Sequence, residues 1–262
     1  MVLNIALEGI DGVGKTTQIQ RLEEFFKNKD YTVKTITQPH ETELMQYMKQ
    51  HTLDQHEIAL IMAADRSITL NQIQPEDYDI IFWDRSILSS YAYNTNETVD
   101  DKFITDINRY FPEMDLYIII ENSQILDNPD YSNYDDHQKI IRKYQRLHQE
   151  NPNIVKVPYI PGEKNQVFEN IVVKIFEELP KCGWCGRLFT RTNKYRKYCC
   201  ENCSKNARKD QNRIHSLKYY YTYKELIPER LGSYGANLHS HKCEDNEKEH
   251  QLIQNEKKRL GI

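Results

Sequence analysis

Apolar and polar positions along the first 180 residues follow two periods, and the switches between them mark out the elements. Residues 2–7 form a short apolar, β-rich run, and residues 16–29 repeat apolar side chains at helical spacing through Ile19, Leu22 and Phe25 or Phe26. A second strand is predicted over 31–37, then helices over 43–50 and 54–70. Residues 79–83 carry a buried-strand pattern, followed by helical stretches at 86–94 and 100–110. The run 115–120 ends in an unbroken Ile118-Ile119-Ile120, the mark of a strand covered on both faces. After a polar break at 122–134 come a helix over 135–150, a strand over 154–157 and a helix over 166–179. Strands alternating with helices predict an α/β fold: a parallel, doubly wound sheet with helices on both faces.

Composition adds a boundary. The chain has 262 residues, more than one α/β domain needs, so one such domain with a smaller appendage is expected. With 39% hydrophobic and 28% charged residues it has enough apolar side chains for a core, which excludes a coil, a collagen and wholesale disorder. No apolar run approaches the roughly 20 residues that span a bilayer, and the start has no basic stretch ahead of its apolar run, so a cytoplasmic protein without membrane partners is expected. Residues 1–180 hold 17 basic and 30 acidic side chains, a net −13; residues 181–220 hold 11 and 2, a net +9. All six cysteines follow Pro180. The expected organisation is a nucleotide-binding domain over 1–180, a basic cysteine module over 181–225 and a charged tail over 226–262.

The strongest chemical signal is Gly9-Ile10-Asp11-Gly12-Val13-Gly14-Lys15-Thr16, which fits G-x4-G-K-[ST] and lies between a predicted strand and a predicted helix. Glycines let backbone N–H groups close around phosphate, the helix N-terminus adds its dipole, Lys15 supplies a point charge and Thr16 a magnesium ligand. A P-loop fold binding a nucleotide with Mg2+ follows, with Gly9, Gly12, Gly14, Lys15, Thr16 and Thr17 as the cofactor-binding set.

The loop alone does not separate a GTPase, an ATPase and a nucleotide kinase. Leu7-Glu8-Gly9 running into that loop, followed by Ala63-Ala64-Asp65-Arg66 and then by the segment from Asp84-Arg85-Ser86 to Tyr93, resembles the thymidylate kinase family in order and spacing. The resemblance covers about residues 1–180 and implies transfer of the ATP γ-phosphate to dTMP. It implies that Asp11 contacts the acceptor's sugar and that Ser90 and Tyr93 fall in the acceptor site. An acceptor monophosphate facing ATP calls for guanidinium groups, and Arg66 and Arg85 are the candidates. Asp84, closing a strand at its carboxyl edge, is the candidate to position magnesium. Lys15, Arg85, Asp84 and Asp11 make up the expected catalytic set. The chain also departs from the family. Thr37-Gln38-Pro39-His40 replaces Thr-Arg-Glu-Pro, Met62 stands where a Phe stacks on the base, and Asn94 where a Gln is common. The lid, 122–134, has no Arg or Lys, and Arg142, Lys143 and Arg146 are the candidates to substitute.

The cysteines give C-x2-C at Cys182 and Cys185, thirteen residues, then Cys199 and Cys203. Four thiolates at this spacing suit tetrahedral Zn2+. The segment resembles small zinc-ribbon or treble-clef knuckles, which implies Cys199 and Cys203 as the second ligand pair; Cys200 with Cys203 is the competing choice. Residues 204–223 continue as a helix with Lys205, Arg208, Lys209, Arg213 and Lys218 among Tyr219, Tyr220 and Tyr221. Such a helix suits nucleic acid, or docks as a solvated basic face on the acidic body. His239, His241 and Cys243 offer a second metal site or an unligated loop, and 244–259 reads as a charged helix. The leading reading is a nucleoside monophosphate kinase with a zinc module, with a homodimer left open. The alternatives are a nucleic-acid-binding or regulatory protein that senses nucleotide without efficient transfer, and a kinase of the bare deoxynucleoside.

Overall fold

The computed structural model describes residues 2–40, 43–122, 134–191 and 193–223, with backbone alone for 134–136 and 220–223. The lid residues 123–133, the His239–Cys243 cluster and the predicted 244–259 helix lie outside the described residues. The chain forms two compact units, residues 1–204 and 205–262.

In the first unit, β1 (Leu3–Glu8), α1 (Lys15–Lys27), β2 (Val33–Thr37), α2 (Glu43–Gln50) and α3 (Gln55–Asn71) come first. They are followed by β3 (Ile80–Asp84), α4 (Ile87–Asn94), α5 (Asp101–Ile107), β4 (Leu116–Glu121), α6 (Tyr134–Glu150), β5 (Ile154–Pro158) and α7 (Lys164–Glu178). The helix α8 (Glu201–Tyr223) begins earlier than residue 204, which sets Cys203 in its first turn. The five strands form one parallel sheet in the order β2-β3-β1-β4-β5.

Strand alternation sends side chains to two cores. Ile5, Leu7, Phe82, Ile118 and Ile120 pack with Leu22 and Phe26 of α1 and Ile171 and Ile175 of α7. Ala6, Ile81, Trp83, Tyr117 and Ile119 pack with Leu88 and Ala92 of α4 and Tyr144 and Leu147 of α6. The central strands therefore read as continuous apolar runs because both of their faces are covered. The capping box at Asp54 and Glu57 starts α3, and Asp100 caps α5. Among the described residues no helix is long and apolar enough to cross a membrane.

The cysteine segment belongs to the first unit in packing, although its composition sets it apart from residue 181 onward. Leu188 is buried in the main core, and its N–H donates to the Tyr31 hydroxyl at 2.8 Å. Arg187 donates to the Asp30 carbonyl and to Asp79 Oδ2, both at 3.0 Å, while its guanidinium lies 4.1 Å from the Tyr31 ring centre. Thr190 donates to the Val2 carbonyl at 3.1 Å. Asp30, Asp79 and Val2 precede β2, β3 and β1, so the segment clasps the amino edge of the sheet.

Candidate active site and cysteine cluster

The opposite, carboxyl edge of the sheet carries the candidate active site. β1 ends at Glu8 and hands the chain to the glycine loop. A Cβ on Gly9, whose φ is +138°, would lie 2.7 Å from the Ile120 carbonyl, so only glycine lets the loop press against β4. Gly14, at φ +81°, caps α1 in the left-handed region. Lys15 Nζ donates to the carbonyls of Gly9 at 3.1 Å and Ile10 at 2.9 Å and lies 3.7 Å from Asp11. Burial lowers its pKa, against the pull of Asp84 and Glu8. The Thr16 hydroxyl donates to Asp84 Oδ2 at 2.5 Å, so two hard oxygen donors meet at the end of β3 and the start of α1. That pair fits a magnesium ion held between protein and phosphate oxygens.

Two cavities open side by side at this edge. One, of about 360 Å³, is lined by the glycine loop through Gly12, Gly14, Lys15, Thr16 and Thr17, with Asp84. The other, of about 370 Å³, is lined by Met62, Arg66, Ser90, Tyr93 and Asn94 among others. Asp11, Gln38 and Arg85 line both. Of the cofactor set, Gly9 is not part of the loop cavity's lining; its place is the tight approach to β4.

Arg85 sits at φ +72°, a conformation rare outside glycine, and its N–H donates to the Leu7 carbonyl at 3.0 Å. Its guanidinium pairs with Asp11, donates to the Ser89 hydroxyl at 3.1 Å and lies 5.0 Å from the Tyr93 ring centre. Arg66 is 4% exposed; it donates to Asn108 Oδ1 at 2.9 Å and to the Ser90 hydroxyl at 2.7 Å. Burial brings its pKa down to about 10, with Glu8 and Asp65 opposing, so it remains a cation at neutral pH.

Glu8, quoted in the sequence motif but given no role there, organises this edge. It is fully buried, and its Oε1 accepts the N–H and hydroxyl of Ser86, both at 2.6 Å. Its Oε2 accepts the Ser89 hydroxyl at 2.7 Å and the Tyr144 hydroxyl at 3.0 Å. Arg85, Ser89 and Glu8 thus form one chain of hydrogen bonds. The available signal was an acidic side chain at the end of a strand that is apolar at every other position but Asn4. Asp65, also named in its motif without a role, is fully buried, accepts the His40 N–H at 2.9 Å and ties the loop after β2 to α3.

The candidates to replace a lid arginine are placed elsewhere. Lys143 donates to the Thr95 carbonyl at 2.5 Å and Arg146 pairs with Asp101 at 2.8 Å, so α6 spends both cations on the connection from α4 to α5. Arg142 is exposed on the same helix.

At the other edge, the sulfurs of Cys182, Cys185, Cys199 and Cys203 all lie within 4.8 Å of one another. The Cys185–Cys199 and Cys199–Cys203 separations are 3.6 and 3.5 Å. A tetrahedron of thiolates about 2.3 Å from zinc has edges of about 3.8 Å, so the cluster has the right size. Cys200 is exposed and outside it. Burial opposes ionisation of Cys182, yet backbone N–H groups of Cys185, Cys199 and Trp184 bring its thiol to about 6.

The family model described as thymidylate kinase matches residues 7–171. A probable thymidylate kinase of Methanosphaera stadtmanae is 34% identical over 177 residues, covering 61% of this chain and 90% of that one. The thymidylate kinase of Caldicellulosiruptor saccharolyticus is 31% identical over 201 residues, covering 68% of this chain and 97% of that one. The crystal structure of thymidylate kinase from Ehrlichia chaffeensis superposes with a TM-score of 0.55 at 21% identity, covering 66% of this chain and 98% of that one. The thymidylate kinase structure from Candida albicans gives 0.52 at 21% identity, covering 66% and 91%. The two structures attest the shared fold.

Proposed function

This chain belongs to the thymidylate kinase family, and from that premise we propose that it transfers the γ-phosphate of ATP to dTMP, giving ADP and dTDP. The observation that carries the reading is the pair of adjoining cavities with Asp11, Gln38 and Arg85 common to both. Phosphoryl transfer asks mainly for two nucleotides held end to end and for neutralisation of the charge between them. The glycine loop and Lys15 serve the donor, and Arg85 stands where donor and acceptor phosphates meet. Thr16 and Asp84 would hold Mg2+, which when bound offsets the negative charge of the phosphates. Arg66 and Ser90 bind the acceptor side, Met62 and Tyr93 face its nucleoside, and Asp11 receives its sugar. Catalysis is assigned to residues 1–180.

The cysteine module extends the reading. Cys182, Cys185, Cys199 and Cys203 hold Zn2+, whose charge satisfies four crowded thiolates that otherwise oppose one another. The exposed Lys205, Arg208 and Lys209 of α8 suit contact with nucleic acid phosphates, which salt-dependent filter binding would detect.

The kinase reading is tested by coupled ADP release with ATP, magnesium and a panel of dTMP, dUMP, dCMP, dGMP and thymidine, with Lys15→Ala as control. Turnover on dTMP that Lys15→Ala abolishes is expected. Silence on every acceptor would leave the domain as a nucleotide sensor, and turnover on thymidine alone would make it a nucleoside kinase.

A further inference from the structure

The cysteine segment carries a surface that neither its packing nor its metal ligands use. Residues 181–204 hold six basic side chains against Glu201 alone, and a zinc ion with four thiolates, net −2, still leaves the segment at +3. Three of the six cations are spent within the fold. Arg187 donates to the Asp30 carbonyl and to Asp79, and Lys181 Nζ lies 5.4 Å from the Phe176 ring centre. Arg196 donates to the carbonyls of Tyr198 and Cys199 and lies 5.5 Å from the Phe189 ring centre. Arg191, Lys194 and Lys197 are exposed, and none of them pairs with a carboxylate among the described residues. Two aromatic rings accompany them, Trp184 at 44% exposure and Tyr195 at 76%. Lys194 Nζ lies 5.1 Å from the Tyr195 ring centre. The Gly183 N–H donates to the Lys197 carbonyl at 2.9 Å, which joins the two loops that carry the rings. Trp184 follows Gly183 and Tyr195 lies two residues before Lys197, so their Cα atoms are at most about 17 Å apart. The turn that presents Tyr195 is held by Asn193, whose Oδ1 accepts the Tyr195 N–H at 3.0 Å and whose carbonyl accepts the Arg196 N–H at 3.2 Å.

We propose that this face of the cysteine segment binds single-stranded nucleic acid, with Trp184 and Tyr195 stacking on bases and Arg191, Lys194 and Lys197 meeting backbone phosphates. The inference rests on the nucleic-acid reading of the cysteine module and adds to it a contact surface and a strand type. Cations alone attract duplex and single strand alike, because both present a line of phosphates. The exposed rings decide between the two. In a duplex each base face is covered by the neighbouring pair, whereas a single strand can turn its bases onto aromatic side chains. Every base has a π-face, so such a surface takes strands of any sequence. A cation beside a ring, as Lys194 is beside Tyr195, puts a phosphate partner and a base partner within one nucleotide's reach. Contact with the acidic body is made by Arg187 at Asp79, and it leaves both rings and the three remaining cations exposed.

The test uses the full-length protein and a labelled mixed-sequence DNA strand of about 20 nucleotides, with its duplex and an RNA strand of the same sequence as further probes. The strands carry no terminal phosphate, so the glycine loop has no chain end to hold. Anisotropy gives the affinity at several salt concentrations, and tryptophan emission reports stacking. The chain has two tryptophans, and Trp83 is 1% exposed in the sheet core, so quenching by an added strand reads Trp184. The DNA strand is expected to bind at least about tenfold more tightly than the duplex and to quench that emission. RNA should bind within about threefold of DNA, since rings and phosphates meet features that both share; a preference above about tenfold for either would put the contact on the sugar and overturn the assignment. Trp184→Ala and Tyr195→Ala should each weaken strand binding about tenfold and leave the salt dependence as in wild type. Lys194→Gln with Lys197→Gln should instead make the slope of log affinity against log salt shallower by about 1.4. Zinc content should match wild type in every variant; if Trp184→Ala loses the metal, Tyr195→Ala and the quenching of the wild type decide. A duplex held as tightly as the strand, an unquenched Trp184, or aromatic variants that bind like wild type would overturn the proposal and leave the α8 phosphate contact standing. No binding of any probe at low salt would sink that reading together with this one, and the kinase reading is untouched by either result.

Discussion

The guanidinium of Arg85, at the end of β3, pairs with the carboxylate of Asp11 in the glycine loop, and the two stand in the lining that both cavities share. Residues 74 positions apart in sequence thus meet at the seam of the two cavities, where the proposed function puts the donor and acceptor phosphates. Arg85 holds this place in a left-handed backbone conformation that costs an ordinary residue about 1–2 kcal/mol. Arg85→Ala and Arg85→Gly should each lower kcat/KM for dTMP by on the order of 10³. Arg85→Gly should nevertheless unfold about 1 kcal/mol less readily than Arg85→Ala, because glycine accepts the positive φ without strain. Steady-state kinetics and denaturant titration check the two halves separately; equal stability of the two variants would remove the argument from strain.

The bond from the Thr16 hydroxyl to Asp84 places two oxygen donors together, the pair proposed to hold magnesium. Asp84→Asn keeps the shape and removes the charge that attracts a dication. It should cut kcat by roughly 100-fold and raise the magnesium concentration giving half-maximal rate. Initial rates across a magnesium titration measure this, and an unaltered half-saturation point would take Asp84 out of the metal site.

The cysteine cluster distinguishes adjacent residues. Cys199→Ser should lose bound zinc, whereas Cys200→Ser should retain about one ion per chain, since four thiolates complete the shell. Elemental analysis of the purified proteins decides this. Because Leu188 is buried in the main core and Arg187 bridges to Asp30 and Asp79, loss of the metal should also lower the unfolding temperature of the whole first unit by several degrees.

Tyr117 gives a pH signature. Burial holds its hydroxyl in the protonated form and pushes its pKa up to about 12 from an ordinary value of 10.0. The folded state then keeps a proton that the unfolded chain releases, so the stabilisation is whole below pH 10 and is lost as pH rises through 12. Relative to Tyr117→Phe, the wild type should lose about 3 kcal/mol across that interval. Denaturant unfolding of both proteins at pH 9 and just above 12 measures the difference; parallel curves would contradict it.

Much of this was readable from one dimension. Strand and helix follow from local periodicity, and the glycine loop from contiguous residues whose backbone must close on phosphate, so β1, its loop and α1 fall where the pattern sets them. The C-x2-C turn was legible for the same reason, whereas the choice of Cys199 over Cys200 came from the resemblance to zinc knuckles, and the sulfur cluster contains Cys199 and not Cys200. Other features depended on which elements became neighbours. Glu8 meets Tyr144 across 136 positions, and Lys143 and Arg146 are drawn to Thr95 and Asp101 rather than to the glycine loop. The cysteine segment looked like a separate module because its charge differs from the body's, yet Leu188 and Arg187 dock it against the amino edge of the sheet. Periodicity and spacing report how each residue sits relative to its own chain. Burial of Glu8 and the direction of α6 arise only when the sheet order brings distant segments together, and no local pattern records that order.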